Sequence, residues 1–339
     1  MNNILLETLN NNKTKRPPVW FMRQAGRILP SYQKMKKKYT FSEMMEHPDL
    51  AAEVTLLPLS SLDVDAVILF SDILVVPQAL GLDLEFKSNG PIFHNPITTL
   101  DSKRIFKKNI TKLDYIYNNI DKVKSINNTV PLIGFCGGPL TVFCFMFRGV
   151  NPTKNFNDAI KFLYEHPKQS KYILNLITEV SEEYVEKQIN HGINCFQLFE
   201  TYCGLIPQKK YESEIMPFSK RILQKAKGKV PTIFFPKDYG LGIKNLNKSD
   251  CDYVSIDWQM DIFEARKILD NDIGIQGNID PRLLYSSYQE IDFELNRIKK
   301  FGLENNNWII NLGHGFLPDI NYEKARYIVD WVKNTNWRR

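Results

Sequence analysis

Short apolar runs alternate with helical patterns along nearly the whole chain, and this alternation constrains the fold more than any other feature. The runs PVWFM (18–22), AVILF (66–70), PLIGF (131–135) and CFQLF (195–199) are followed by PTIFF (231–235), DYVSI (252–256), IGIQG (273–277) and WIINL (308–312). Most are apolar at consecutive positions, so both faces need cover, as in a parallel sheet flanked by helices. Between them, Ile173, Leu176, Ile177 and Val180 form the i, i+3, i+4, i+7 stripe of an amphipathic helix, and so do Ala325, Ile328, Val329 and Val332. Eight strands with intervening helices predict a (β/α)8 TIM barrel. An open doubly wound sheet is disfavoured, because no GxGxxG turn follows any strand. No Pro/Gly/Ser-rich hinge divides the 339 residues. The expectation is a single domain over 1–339, with a flexible N-terminus over 1–15.

Charge and cysteine usage narrow the function classes. The 44 basic and 38 acidic residues are interspersed, and a net charge of +6 does not predict nucleic-acid binding. A small polyanion would be favoured if the excess is gathered in a cleft. Five cysteines (136, 144, 195, 203 and 251) form an odd number with no CxxC pair. That spacing argues against a disulfide framework or a cysteine metal site and fits a reducing, cytoplasmic compartment. The N-terminus is polar and Asn-rich, without the apolar core of a signal peptide. Residues 130–147 carry no charge over nearly a membrane-spanning length, but Gly137-Gly138-Pro139 interrupts them. A short strand, a turn and a buried helix are the expected outcome.

Barrel enzymes carry their chemistry where the strands end, so the residues after each run are the ones to inspect. They include Arg23 to Arg27, Ser71-Asp72, Cys136-Gly137-Gly138, Glu200-Thr201, Lys237-Asp238, Asp257-Trp258, Asn278, Asp280 and Gly313-His314-Gly315. Capping and loop bracing account best for Asp238, Asn278 and Asp280. Arg23 and Arg27 have no acid between them and suit bidentate grip of carboxylates. Lys34, Lys36, Lys37 and Lys38 read mostly as a solvated face, with one able to reach the cleft. Asp72 lies among apolar neighbours, where a carboxylate has a raised pKa or compensating donors. His314 lies between two glycines, which suggests close backbone access and room for a ligand.

At this point the motifs carry a resemblance. PVWFMRQAGRILPSY (18–32) and FSDILVVPQALG (70–81) resemble the uroporphyrinogen decarboxylase family. So do PLIGFCGGPLT (131–141), LFE (198–200), DW (257–258), QGNIDP (276–281) and NLGHGFLPD (311–319), in the family's order. The resemblance implies a homodimeric (β/α)8 barrel that needs no metal or organic cofactor. It also implies a small-molecule tetrapyrrole substrate, with no nucleic-acid or membrane partner. Four acetate arms of uroporphyrinogen would become methyl groups, giving coproporphyrinogen and CO2 for haem biosynthesis. Asp72, Arg23 and Arg27 would be catalytic, with Arg23 a candidate proton source. Gln24, Ala25, Gly26, Phe145, Thr201, His314 and Lys36 would join them in holding substrate, and Phe21 and Phe70 would wall off water.

Three positions depart from the family's pattern. Phe145 stands where many members have a tyrosine against the essential aspartate, Lys36 where many have an arginine, and Arg148 where an acid is common. A zinc- or cobalamin-type methyltransferase of the related barrel group is one alternative, but its soft ligands are missing after the strands that supply them. A tetrapyrrole-binding homologue without activity is the other, although Arg23, Arg27, Asp72 and His314 are all retained.

Overall fold

The computed structural model describes residues 4–87, 90–150 and 153–337. Seven of the eight expected strands form one parallel sheet. In chain order the strands are β1 (Val67–Ile68), β2 (Leu84–Lys87), β3 (Gly90–Phe93), β4 (Leu132–Gly137), β5 (Cys195–Glu200), β6 (Thr232–Pro236), β7 (Tyr253–Ser255), β8 (Gly274–Gln276) and β9 (Trp308–Ile309). The main sheet runs β1-β4-β5-β6-β7-β8-β9. Its register is fixed by pairs such as Ile133 with Cys195 and Phe196 with Thr232. Residues on both faces are buried, as the continuous apolar runs require. β2 and β3 form a separate antiparallel hairpin that the apolar runs did not announce.

The expected first strand is reduced to a parallel bridge between Val19 and Ile310. Trp20 N donates to Ile310 O and Ile310 N to Pro18 O, while Asp65 N donates to Val19 O on the other side. Pro17 and Pro18 bring no N–H to a ladder. The Val19 N–H goes instead to the Asp65 carboxylate at 2.8 Å. Arg16 grips that same carboxylate with two bonds of 2.6 and 2.7 Å. The segment is thus pinned between β1 and β9 by a buried ion pair as much as by strand pairing.

The uncharged stretch resolves as expected into β4 and the helix Pro139–Met146, which starts with proline at its first turn. Among the described residues, no helix is long and apolar enough to cross a membrane. The stripe from Ile173 to Val180 lies in the helix Pro167–Asn190 and is buried at Ile173, Ile177 and Val180. The N-terminus departs from expectation. Ile4–Leu9 is a helix with Leu5 and Leu9 buried, and Tyr253 Oη donates to Thr8 O at 2.5 Å. Two leucines in the core outweigh the polar character of the Asn-rich segment around them.

Candidate active site

The segment after Val19 carries Arg23 and Arg27 just beyond the bridge that pairs Val19 with Ile310. Gln24 is fully buried. Its Oε1 accepts from Phe21 N at 2.9 Å, and its Nε2 donates to Ala66 O at 2.9 Å. Both ends of this amide are therefore engaged in bracing the loop against β1. On the β9 side, Met22 N donates to Asn311 Oδ1 at 3.0 Å, and Phe316 N donates to Met22 O. Arg23 takes φ +63°, a left-handed conformation that a long side chain adopts only when its surroundings fix it. Ala25 and Gly26 form the half-buried turn that follows, and Arg27 is exposed.

Asp72 follows β1 and keeps an accessible edge while protein packs around its other sides. Leu74 N donates to its Oδ1 at 2.8 Å. Burial pushes its pKa up to about 6; the Leu74 N–H and the nearby Arg23 guanidinium resist that rise without cancelling it. Arg23 keeps an exposed surface, yet the protein packed around it pulls its pKa down, resisted chiefly by Asp72 and then by Tyr202, with Arg27 adding repulsion. The two arginines and Asp72 thus act in one electrostatic field. Phe70, just before Asp72, packs against Tyr32 and Phe41 at ring-centroid distances of 6.1 and 5.1 Å. Phe21 meets Phe316 at 5.1 Å on the opposite wall.

His314 joins this group from the loop after β9. Burial, and then Arg23, hold its pKa down to about 4, so the imidazole is neutral near pH 7. Its flanking glycines are closely approached by neighbouring chain. A Cβ on Gly315 would come within 2.6 Å of Arg23 Cγ, and one on Gly313 within 2.9 Å of the Asp257 carbonyl carbon. The glycines make room for the Arg23 stem and the Asp257–Trp258 backbone. Trp258 stands edge-on to His314 at 6.1 Å, with Lys237 5.5 Å and Arg282 5.2 Å from its ring centroid. Lys237 is also paired to Asp238. Asp280 caps the turn Pro281–Tyr285, and Asn278 Nδ2 donates to Asp257 O and Met260 O. Asp238 is no cap; it accepts from Gln259 and takes φ +62°.

The β5 side supplies the remaining wall. Glu200 is fully buried, and accepts from Leu140 N at 3.2 Å, Thr141 N at 2.7 Å and Thr141 Oγ1 at 2.5 Å. Burial pushes it up to about 7 against those donors, and its contacts tie β5 to the start of the helix Pro139–Met146. Thr201 follows, half-buried. Phe145 packs on Phe156 and Tyr202, with Arg148 over its face at 5.9 Å. Tyr202 was missed by reading the sequence, where an aromatic residue beside a strand looks like ordinary core. Lys36 ends the helix Pro30–Lys36 and is exposed, with no described contact to Arg23, Asp72 or His314. The five cysteines are free and buried. Among the described residues, no three His, Cys, Asp or Glu side chains are grouped to hold a metal ion.

Comparison with known proteins places this geometry. A solved methyltransferase from Methanosarcina mazei shares the fold, with a TM-score of 0.77 over 98% of both chains at 15% identity. Uroporphyrinogen decarboxylase of Christiangramia forsetii is 37% identical over 340 residues, covering 98% of each chain. That of Chloroherpeton thalassium is 36% identical over 342 residues, covering 98% of this chain and 97% of the relative. The family profile described as uroporphyrinogen decarboxylase (URO-D) matches residues 1–335. With relatives of that name aligned from end to end, the chain belongs to the uroporphyrinogen decarboxylase family.

Proposed function

We propose that this chain decarboxylates the acetate arms of uroporphyrinogen to methyl groups, with its own substrate as the electron sink. Family membership over the whole chain carries the activity. The electrostatic interaction of Arg23 with Asp72 supports the assignment of roles. Protonation of a pyrrole carbon beside the acetate makes the ring cationic. The C–CO2 electron pair then flows into the ring and CO2 leaves. The exocyclic methylene takes a proton to become methyl, and the ring carbon returns the first one. Each decarboxylation consumes one proton net.

In this scheme the Asp72 carboxylate accepts from the pyrrole N–H groups and stabilises the cationic ring. Arg23 and Arg27 grip carboxylate arms, and Arg23 lies closest to the charge of Asp72. His314, being neutral, offers an N–H donor to an arm instead of a second positive charge. Gln24, Ala25 and Gly26 act by shaping the arginine loop, and Thr201 and Phe145 line the opposite wall. Lys36 is kept as an outer contact for an arm. We read the segment 17–20 as the stave that closes a single-domain (β/α)8 barrel, working as a cytoplasmic homodimer without metal or organic cofactor.

Anaerobic incubation of the purified protein with uroporphyrinogen should yield coproporphyrinogen and CO2, unaffected by chelator. Activity that vanishes with chelator and returns with zinc would overturn the expectation that no metal is required. The pH profile is a second expected result. Catalysis requires ionised Asp72, whose pKa is about 6. kcat/KM should therefore rise with pH through about 6 and flatten above it. An acid limb placed near pH 4 would assign the titration to His314 or the substrate and count against Asp72.

A further inference from the structure

Tyr202 is the second residue after β5, and its surroundings fix it firmly. Its backbone N–H donates to Thr141 Oγ1 at 3.1 Å, and that hydroxyl donates to the buried Glu200 carboxylate. The backbone is thereby tied to the first turn of the helix Pro139–Met146. Two rings set the side chain: Phe156 lies edge-on with centroids 4.8 Å apart, and Phe145 lies at 5.8 Å. Phe145 and Phe156 meet each other at 5.1 Å, so the three rings form one rigid wall. Arg148 covers Phe145. Within this wall the only hydroxyl belongs to Tyr202. It makes no hydrogen bond to any described residue, and the side chain is only half-buried.

We propose that Tyr202 is a substrate-positioning residue, whose hydroxyl projects from the Phe145–Phe156 wall and donates to a carboxylate arm held by Arg23. This rests on the function proposed above and adds a contact to that same site. A carboxylate presents about four lone-pair sites, and a bidentate guanidinium uses two of them. A neutral phenol fills another without adding charge, and a rigid ring aims it. Burial raises the Tyr202 pKa despite the nearby Arg23 and Arg148, so the group remains a protonated donor at neutral pH. The two arginines attract any carboxylate arm, whereas a donor fixed on one wall selects how that arm is turned.

The test is Tyr202→Phe in the full-length protein, which keeps the ring and removes only the hydroxyl. Losing one hydrogen bond to a charged group should raise KM for uroporphyrinogen about tenfold, with kcat within about threefold of wild type. Equilibrium binding of the oxidised, unreactive uroporphyrin, followed by fluorescence, should weaken by a similar factor. A KM and a uroporphyrin affinity within about twofold of wild type would overturn the proposal. So would a loss confined to kcat in a protein with a wild-type melting temperature. If wild type leaves uroporphyrinogen untouched, the proposed activity fails. Tyr202 then stands or falls on uroporphyrin affinity, which needs no turnover.

Discussion

Asp72→Asn is expected to slow single-turnover decarboxylation on the order of a hundredfold or more, while the protein folds at least as well as wild type. Asparagine has the shape of aspartate without its charge, so the loss isolates stabilisation of the cationic ring. The stability half of the expectation follows from the raised pKa. The folded value is about 6, against roughly 3.9 in an unfolded chain. A carboxyl raised in this way supports the fold fully below the unfolded value, and that support is lost as pH rises through the folded value. Near neutral pH the ionised group therefore opposes folding, and its removal should leave the melting temperature equal or higher. Decarboxylation by folded Asp72→Asn within about threefold of wild type, under ~1 kcal/mol of barrier, would make the carboxylate structural. Asp72→Glu keeps the charge but displaces it, and should fall between the two.

The main sheet was legible because its strands are buried on both faces, so their apolar residues run consecutively through LIGFCG and CFQLFE. The hairpin of β2 and β3 was not legible. LEFK and GPIF are half-exposed and lie outside the apolar runs. The first stave was legible as a place but not as a strand. Its pairing is replaced partly by the Asp65 carboxylate, a contact across 46 residues that local pattern cannot reveal. At the site, Asp72 was readable because a carboxylate in apolar company must be explained by desolvation. Tyr202 offers no such signal, since its importance lies in which rings and arginines the fold brings beside it. Gln24 lies in the loop expected to hold substrate, and the long-range bond of its amide to Ala66 O is one that local pattern does not reveal.

The glycines around His314 give the other large expected effect, because the two sites next to one histidine should fail in different ways. At Gly315, a methyl group would collide with the middle of the Arg23 side chain, within 2.6 Å of Cγ. The stem cannot yield by rotating its tip, since the crowded atoms lie ahead of the guanidinium. Arg23 is already held at φ +63°, so its backbone has little freedom to follow. Gly315→Ala should therefore redirect the guanidinium while the surrounding loop, anchored by the Phe316–Met22 hydrogen bond, stays folded. Misplacing a gripping group by about 1 Å costs on the order of a hundredfold, so kcat/KM should fall by roughly that much. At Gly313 the obstacle is backbone: Trp258 N and the Asp257 carbonyl carbon. Gly313→Ala must push two loops apart, and overpacking of that kind costs about 1–3 kcal/mol, seen as a lower melting temperature. Thermal melts and steady-state kinetics on both variants separate the cases. Wild-type kcat/KM in Gly315→Ala would mean that Arg23 can reach its working position by another route, or that its grip is dispensable. An undiminished melting temperature in Gly313→Ala would mean that the Asp257–Trp258 loop yields more readily than its packing implies.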